Sequence, residues 1–436
     1  MRTLSHDLLA KYGETRFVNT ALAFNDRAAV CDGLIESRVL GQAYIGLNAL
    51  VLTQSELKEL KRLTAIFGEI MTKALQAIVN SNTEELKRLG WPAELVYALQ
   101  NEPPNRWLTP IGRFDFALDG HGIWRLMEFN SDTPSGAQEV TLVEERLWRV
   151  LGQVGEVARL NPEIGAQMTQ ALWDEALFAP VAPGYGEVYG PLRLPKVGFM
   201  VRGRHLTDLA QVIYYAQGLQ KAGLACTIGD PNNLSLFGNR VYLLGQPIDA
   251  LYRLFPIEYL SKEPLFAAYL QANLAASLKC LNNLRGFLAQ SKAVMAWVWR
   301  EQENTTLFSA EERKAIQNHL PETYLIQDLP DNFDRTPYII KEFYGREGSE
   351  VYDGAELDDE GWAECRKWGT FVAQGRIEIA PQDHAWINEA GKIAQGEVFP
   401  CVGSFLIGGQ WGGCYTRVGG RITTSTAQFV PTVVDL

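Results

Sequence analysis

Residues 113–136 read RFDFALDGHGIWRLMEFNSDTPSG, two runs of alternating apolar and polar residues on either side of Asp119-Gly120-His121-Gly122. Period-two alternation marks a strand, because successive side chains point to opposite faces. A glycine-bearing turn between two such runs marks a hairpin. With an even loop centred between Gly120 and His121, Arg113 and Asp115 fall on the same face as Glu128 and Asn130. The opposite face then carries Phe114, Phe116, Leu118, Met127 and Phe129, the apolar side that a sheet lays on a core.

The polar face has a chemistry of its own. Asp115, Glu128 and the amide oxygen of Asn130 are hard oxygen donors suited to magnesium, which keeps some waters and shares its remaining positions with phosphate oxygens. Arg113 beside them is placed to stabilise a phosphate or a developing negative charge. Spacing alone also admits a plainer reading, a solvated hairpin face with an Arg113–Glu128 ion pair across the strands.

Outward from the hairpin, residues 55–100 carry helical periodicity through Leu57, Leu60, Leu63, Ile66, Ile70, Leu75 and Ile78, broken near Gly90 and Pro92, and a second helical run follows Gly136. Strand-like KVGFMV, a helical stretch over 208–222 and a further apolar segment after Gly223 predict a β-α-β unit over 196–244, a small open-sheet module. A helical region over 265–300 gives way to glycine-punctuated, β-rich sequence. Helices and strands mixed by segment predict an α+β fold. The expected division is 1–195 for the helical region and metal-binding hairpin, 196–260 for the open-sheet module and 261–436 for the nucleotide-binding region.

Composition sets the class. The 436 residues are 47% hydrophobic, enough for a large core and more than one ordinary domain. Forty Lys and Arg against fifty-one Asp and Glu give a net charge of −11, which argues against a nucleic-acid partner or an anionic membrane surface. The N-terminus lacks the apolar core of a signal peptide and no run is long enough to span a bilayer, so cytoplasm is the expected location. Six scattered cysteines and five histidines form no zinc-like spacing, and the thiols read as reduced packing residues.

A second informative stretch is YIIKEFYGREGSEV, residues 338–351. A strand lysine followed by a Gly-flanked pair of charges presents Lys341 to a phosphate, with Gly345 and Gly348 letting the backbone close over it. An ordinary hairpin corner fits the same residues.

Taken together these motifs resemble the glutathionylspermidine synthase family, whose synthetase is a permuted ATP-grasp ligase. RFDF followed by Glu-x-Asn and a Thr-Pro-Ser-Gly turn resembles the metal-binding segment of ATP-grasp ligases, and residues 341–348 resemble the family's KPxxGREG signature, with Glu342 in place of proline. SKAVMAWVW (291–299), DALYRLFPIEYL (249–260) and VGSFLIGGQWGGCYTRVGGRITTSTAQFVP (402–431) resemble further family segments in the family's order.

The resemblance implies an ATP-grasp fold with permuted motif order, since Glu128 and Asn130 precede Lys292 and Lys341, plus a small open-sheet pre-ATP-grasp module. It implies ATP and magnesium as cofactors and an ADP-forming carboxylate–amine ligase that works through an acyl phosphate on small-molecule substrates. Asp115, Glu128 and Asn130 would bind the metal, Lys292, Lys341, Gly345 and Gly348 ATP, and Thr133 and Ser135 a thiol peptide. Arg113 and Arg417 would be catalytic, Arg417 on the substrate side.

The family's bifunctional members also carry an amidase domain, which is not expected here, so amide hydrolysis is not predicted. Thr207-Asp208 stands where the family has Glu-Asp, which weighs against glutathione as the acid, and the connection over 301–322 is longer than the family's. The competing readings are a ligase of the same fold for another acid and amine, and a nucleotide-binding regulatory protein without turnover.

Overall fold

In a computed structural model the described residues are 1–436 without 32, 35–37, 40–41, 152–155, 179–193, 239, 347 and 349, with 38 and 39 described in backbone only. Glu347 and Ser349 of the glycine-rich turn therefore lie outside the described residues.

The hairpin is real and forms one side of a six-stranded antiparallel sheet. Strands Ile111–Leu118 and Trp124–Asn130 pair with each other, Ile111–Leu118 pairs with the long strand Ile393–Ile407, and Gln410–Gly419 and Gln428–Val430 continue the sheet, with Gln382–Ile387 alongside. Two details differ from the sequence reading. The loop holds three residues, 120–122: the Asp119 N–H donates to the Ile123 carbonyl at 2.9 Å, and Gly122 at φ 76° supplies the left-handed residue that such a loop needs. The Asp119 carboxylate accepts from the His121 and Ile123 amides, which steadies the turn.

An odd loop shifts register by one residue, and a bulge after Asp115 shifts it by another, so Asp115 faces Glu128 and Arg113 faces Asn130. The offsets cancel in parity and the polar face survives. The cost falls on Met127, which is only half-buried, while Leu126 and Trp124 pack with Phe116 and Leu118 in the core.

Helix Gln54–Val79 lies behind this sheet. Its Thr53 cap accepts from Glu56 N–H while Glu56 reaches back to Thr53 N–H, a reciprocal cap that satisfies two end amides. Phe67 meets Phe114 and Phe116 at 6.3 and 6.2 Å between ring centroids, Phe114 stacks on Phe129 at 4.0 Å, and the buried Thr64 and Ser404 hydroxyls bond at 2.6 Å. With one face of the sheet sealed, the other is free to carry charge.

The β-α-β reading holds: Lys196–Val201, helix Leu206–Lys221 and Ala225–Gly229 form a parallel unit, extended by Ala250–Leu254 and Lys279–Cys280. The helical region over 265–300 consists of three helices, Phe266–Leu274, Leu284–Ala289 and Lys292–Arg300, with the short strand Lys279–Cys280 after the first. A second antiparallel sheet runs in the order Thr323–Leu325, Phe371–Gly375, Tyr338–Glu342, Val351–Asp353. The fold is α+β. Cys280, Cys365, Cys401 and Cys414 are buried and, with Cys31 and Cys226, unbridged. Among the described residues no helix is long and apolar enough to cross a membrane.

One buried ion pair ties the hairpin to the parallel sheet. Arg253 donates from both terminal nitrogens to Asp132, both side chains are fully buried, and Asn282 bonds the main chain on either side. Removing one partner strands the other charge in a dry interior, at a cost of about 3–5 kcal/mol. Asp132→Ala should therefore lower the thermal midpoint sharply, whereas Asp132→Leu combined with Arg253→Met should recover much of the loss. Equal midpoints for Asp132→Ala and the unsubstituted chain in a melting experiment would show that the pair carries no structural load.

Candidate active site

Three walls enclose a cavity of about 980 Å³: the polar face of the six-stranded sheet, the turn that follows Tyr338–Glu342, and the loops at the carboxyl ends of parallel strands Lys196–Val201 and Ala250–Leu254. The last position is where open parallel sheets habitually hold ligands, because strand ends splay there and leave a crevice.

On the sheet wall, Arg113 lies across the strands. Its Nε and Nη2 donate to the two oxygens of Asp115 at 2.7 and 3.0 Å, Nη1 donates to the Ser135 carbonyl at 2.7 Å, and the guanidinium sits 4.9 Å from the Tyr415 ring centroid. The strand between supplies the room. Gly403 pairs with both Asp115 and Tyr415, and a Cβ there would come within 2.6 Å of Arg113 Cδ. Arg417, two residues beyond Tyr415 and so on the same face, approaches Asp115 Oδ2 at 3.7 Å. Burial disfavours both guanidinium charges, but Asp115 reverses the balance for Arg113, and Tyr415, Cys401 and Asp115 do so for Arg417, so both are held more firmly protonated than usual.

Next to this pair, the Asn130 amide sits 3.3 Å from Asp115 Oδ2 and 3.3 Å from Glu128 Oε1. Glu128 Oε2 faces Lys292 Nζ at 3.5 Å. Burial would raise the Glu128 carboxyl, but Lys292, Lys341 and Arg417 outweigh it and hold the group down to about 2. Lys292 is the first residue of helix Lys292–Arg300, behind the Ser291 cap, and its ammonium donates to the Gly345 carbonyl at 2.9 Å. Lys341 donates to Gln374 Oε1 at 2.6 Å from the middle of the second sheet.

Most residues predicted from sequence thus converge. Arg113, Glu128, Asn130, Thr133 and Ser135 line the cavity, and so do Lys292, Gly345 and Arg417. Asp115 is 1% exposed and engaged by both arginines. Gly348, at φ 73°, packs so closely on the Thr423 carbonyl that a Cβ would lie 2.8 Å from it. The expected alternative of an Arg113–Glu128 pair is not formed: Arg113 bonds Asp115, and Glu128 faces the lysines. Thr207 also lines the cavity.

Sequence reasoning missed several participants. Arg346 of the glycine-rich turn donates to Glu258 at 2.7 and 3.0 Å and to the Thr133 hydroxyl at 3.0 Å, bridging two walls. Its position inside GREG was the available signal. Gln374, Tyr44 and Glu139 gave none, because their segments carry no spacing that separates them from core or surface residues.

The oxygen set has the character of a magnesium site. Asp115, Glu128 and Asn130 bring only carboxylate and amide groups to one spot; Asn130 Nδ2 donates to both acids, and its amide would turn to offer the oxygen to a cation shared with them. Among the described residues no cluster of three or more His, Cys, Asp and Glu presents itself as a metal site; here the third donor is an amide.

The family model for the glutathionylspermidine synthase preATP-grasp family matches residues 28–435, and the chain belongs to that family. It is 24% identical over 307 residues to a Haemophilus influenzae protein provisionally named acid–amine ligase, covering 68% of this chain and 67% of that one. A crystal structure titled as a gamma-glutamylcysteine synthetase from Methylobacillus flagellatus matches 84% of this chain and 88% of its own, with 10% identity and a TM-score of 0.46, a likeness too slight to argue from.

Burial pulls the Lys341 ammonium down to about 8; Glu128 resists this and Lys292 adds to it. Because that value lies below an unfolded lysine's, the folded chain holds fewer protons than the unfolded chain between about 8 and the ordinary lysine range. The charge therefore costs stability at neutral pH, and the cost lifts as pH rises through that window. A carbon-13 NMR titration of the lysine side chains, assigned with Lys341→Met, should place Lys341 near 8, lower in Glu128→Gln and higher once pyrophosphate is added. A midpoint in the ordinary lysine range would contradict this picture of a buried, crowded cation.

Proposed function

We propose, taking membership of this family as the premise, that the chain is an ATP- and magnesium-dependent ligase joining a carboxylate to an amine through an acyl phosphate, with release of ADP. The observation that carries the reading is one wall on which two arginines anchored by Asp115 adjoin Glu128 and Asn130, the Asn130 amide nitrogen donating to Glu128, with Lys292 and Lys341 behind them. The division into residues 1–195, 196–260 and 261–436 belongs to the same proposal, as do a permuted ATP-grasp core and a cytoplasmic location.

A carboxylate resists amines because oxide is a poor leaving group, and transfer of the γ-phosphoryl group to it provides a better one. Both steps gather negative charge on phosphoryl or tetrahedral oxygens, so catalysis is mostly positioning and electrostatic stabilisation. Asp115, Glu128 and Asn130 would hold magnesium, which supplies charge neutralisation at the phosphate oxygens. Lys292 and Lys341 neutralise phosphates, Gly345 and Gly348 shape the turn over them, and Arg113 and Arg417 stabilise the acyl phosphate side. Thr133 and Ser135 face the acid.

Lys341 at about 8 is charged at neutral pH without being locked so, and a phosphate draws it further toward the ammonium form. Thr207 lines the same cavity with a buried hydroxyl lacking a hydrogen-bond partner, where a carboxylate would offer stronger bonding to an ammonium group. This favours an acid other than glutathione, on the same chemistry.

Calorimetry should show ATP binding that depends on magnesium. ADP release across peptides and amino acids crossed with polyamines and simple amines should identify a productive pair. Glu128→Gln and Asn130→Ala should each lose about 10²–10³-fold in turnover, with thermal midpoints near that of the unsubstituted chain, since both side chains sit on the polar face. Nucleotide binding unaffected by chelation, or a collapse of stability matching the loss of turnover, would sink the assignment of these residues to metal and phosphate.

A further inference from the structure

Three acids on the cavity wall, Glu139, Asp208 and Glu258, have no task in the scheme above. Glu139 opens a single wide π-turn, residues Glu139–Val143, and wide turns of this kind gather at functional sites because they push a side chain out of helical register. The residue is 4% exposed and lines the cavity. Its Oε1 accepts from the Tyr44 hydroxyl at 2.8 Å, while its Oε2, buried, has no hydrogen-bond partner.

The direction of the neighbouring bonds says what this oxygen wants. Tyr44 has one proton and spends it on Glu139, so the Tyr415 hydroxyl, 2.8 Å from that of Tyr44, must donate to it. The chain Tyr415 to Tyr44 to Glu139 therefore ends on an acceptor, and Oε2 is a second acceptor left without a donor. A buried unmet acceptor costs roughly 1–3 kcal/mol, a cost that a ligand donor removes.

Of the other acids that line the cavity, Asp208 acts on Tyr252 through space, and the remaining two are engaged by cations. Glu128 faces Lys292, and Glu258 is bonded by Arg346. Glu139 alone of these three is hydrogen-bonded by a neutral hydroxyl, with Arg113 and Arg417, both beside the Tyr415 ring, acting on it through space.

Resting on the ligase reading, we propose that Glu139 is the residue that receives the amine substrate, binding its primary ammonium group through Oε2 and accepting a proton from it. The geometry suits the task, because Tyr415 carries Arg113 on its face and Tyr44 at its hydroxyl, which sets the amine site beside the wall assigned to the acyl phosphate. The step balances without a further reactant. The ammonium gives one proton to Glu139, the freed nitrogen pair forms the C–N bond at the acyl carbon, and the C–O bond to phosphate breaks. The bonding pair and the second nitrogen proton leave with phosphate, and Glu139 returns its proton to solvent.

The groups around Glu139 set the pH response. Burial pushes its carboxyl up, while Tyr44, the residue's own backbone amide and, at longer range, Arg113 and Arg417 pull it down; Tyr415 and Tyr215 are the other titratable groups that sense it. Ammonium binding should thus fall as pH falls through a carboxyl range above the ordinary one, and Tyr44→Phe, which removes a lowering bond, should move that limb to higher pH.

The test uses the full chain with magnesium and ATP. Calorimetric affinity for spermidine and for 1,3-diaminopropane should weaken about tenfold to hundredfold in Glu139→Gln, partly recover in Glu139→Asp, and show the shifted limb in Tyr44→Phe, with melting curves confirming that each variant is folded. Hydroxylamine, largely neutral near pH 7, should still trap the acyl phosphate as a hydroxamate in Glu139→Gln from glutathione, γ-glutamylcysteine or glutamate. Amine affinity unchanged in a folded Glu139→Gln, or no binding of either amine by the unsubstituted chain, would overturn the role of Glu139. Absence of hydroxamate from the unsubstituted chain would instead strike the ligase reading.

Discussion

The candidate site depends on a single contact, the pairing of Arg113 with Asp115 on one strand across the groove left by Gly403. Residues i and i+2 of a strand share a face but are too far apart for short side chains to meet. Arginine is long enough to fold back, and only a glycine on the neighbouring strand leaves it the floor on which to do so. That position brings the guanidinium over Tyr415 and aligns Arg417 on the same carboxylate. Any side chain at 403 would displace Arg113 and with it the geometry of the wall.

The core on the reverse face makes this arrangement tolerable. Taking several charges out of water is costly unless each is met by an opposite charge or a directed hydrogen bond. Phe114, Phe116 and Phe129, sealed by the helix Gln54–Val79, fix the strands from behind, so the charged face need not supply the stability of the sheet. What it supplies is perturbation: Lys292, Lys341 and Arg417 hold Glu128 down to about 2, and burial draws Lys341 down to about 8. Such shifts in one cavity are typical of groups arranged for chemistry rather than for folding.

Much of this was legible because strands have period two. Arg113, Asp115, Glu128 and Asn130 could be placed on one face from alternation alone, even though the loop length was off by one and the register at these residues by two. The face survived because the bulge after Asp115 compensated the odd loop, a coincidence of parity that no local rule foretells. Met127 went wrong for the same reason. Beyond the sheet, period and propensity fell silent: the helix Ala310–His319 inside the long connection and the break of 265–300 into three helices depend on tertiary packing. Tyr44 and Glu139 lie 95 residues apart and meet only through the fold; neither has a neighbour in sequence that betrays it.

Charge balance ties the parts together. The chain is acidic overall, and even its candidate anion site is already neutralised from within: Asp115 answers Arg113 and Arg417, Glu128 answers Lys292, and Glu258 answers Arg346. An anionic nucleotide approaching such a surface finds cations whose fields are spent on fixed carboxylates, and gains little by Coulomb attraction. A divalent ion on Asp115, Glu128 and Asn130 would change that balance, because each carboxylate it draws on returns part of an arginine's or lysine's charge to the cavity. On the ligase reading proposed above, magnesium dependence of nucleotide binding would follow from the wall itself: the carboxylates that order the cations would be the groups a divalent ion neutralises before those cations have charge to offer a phosphate.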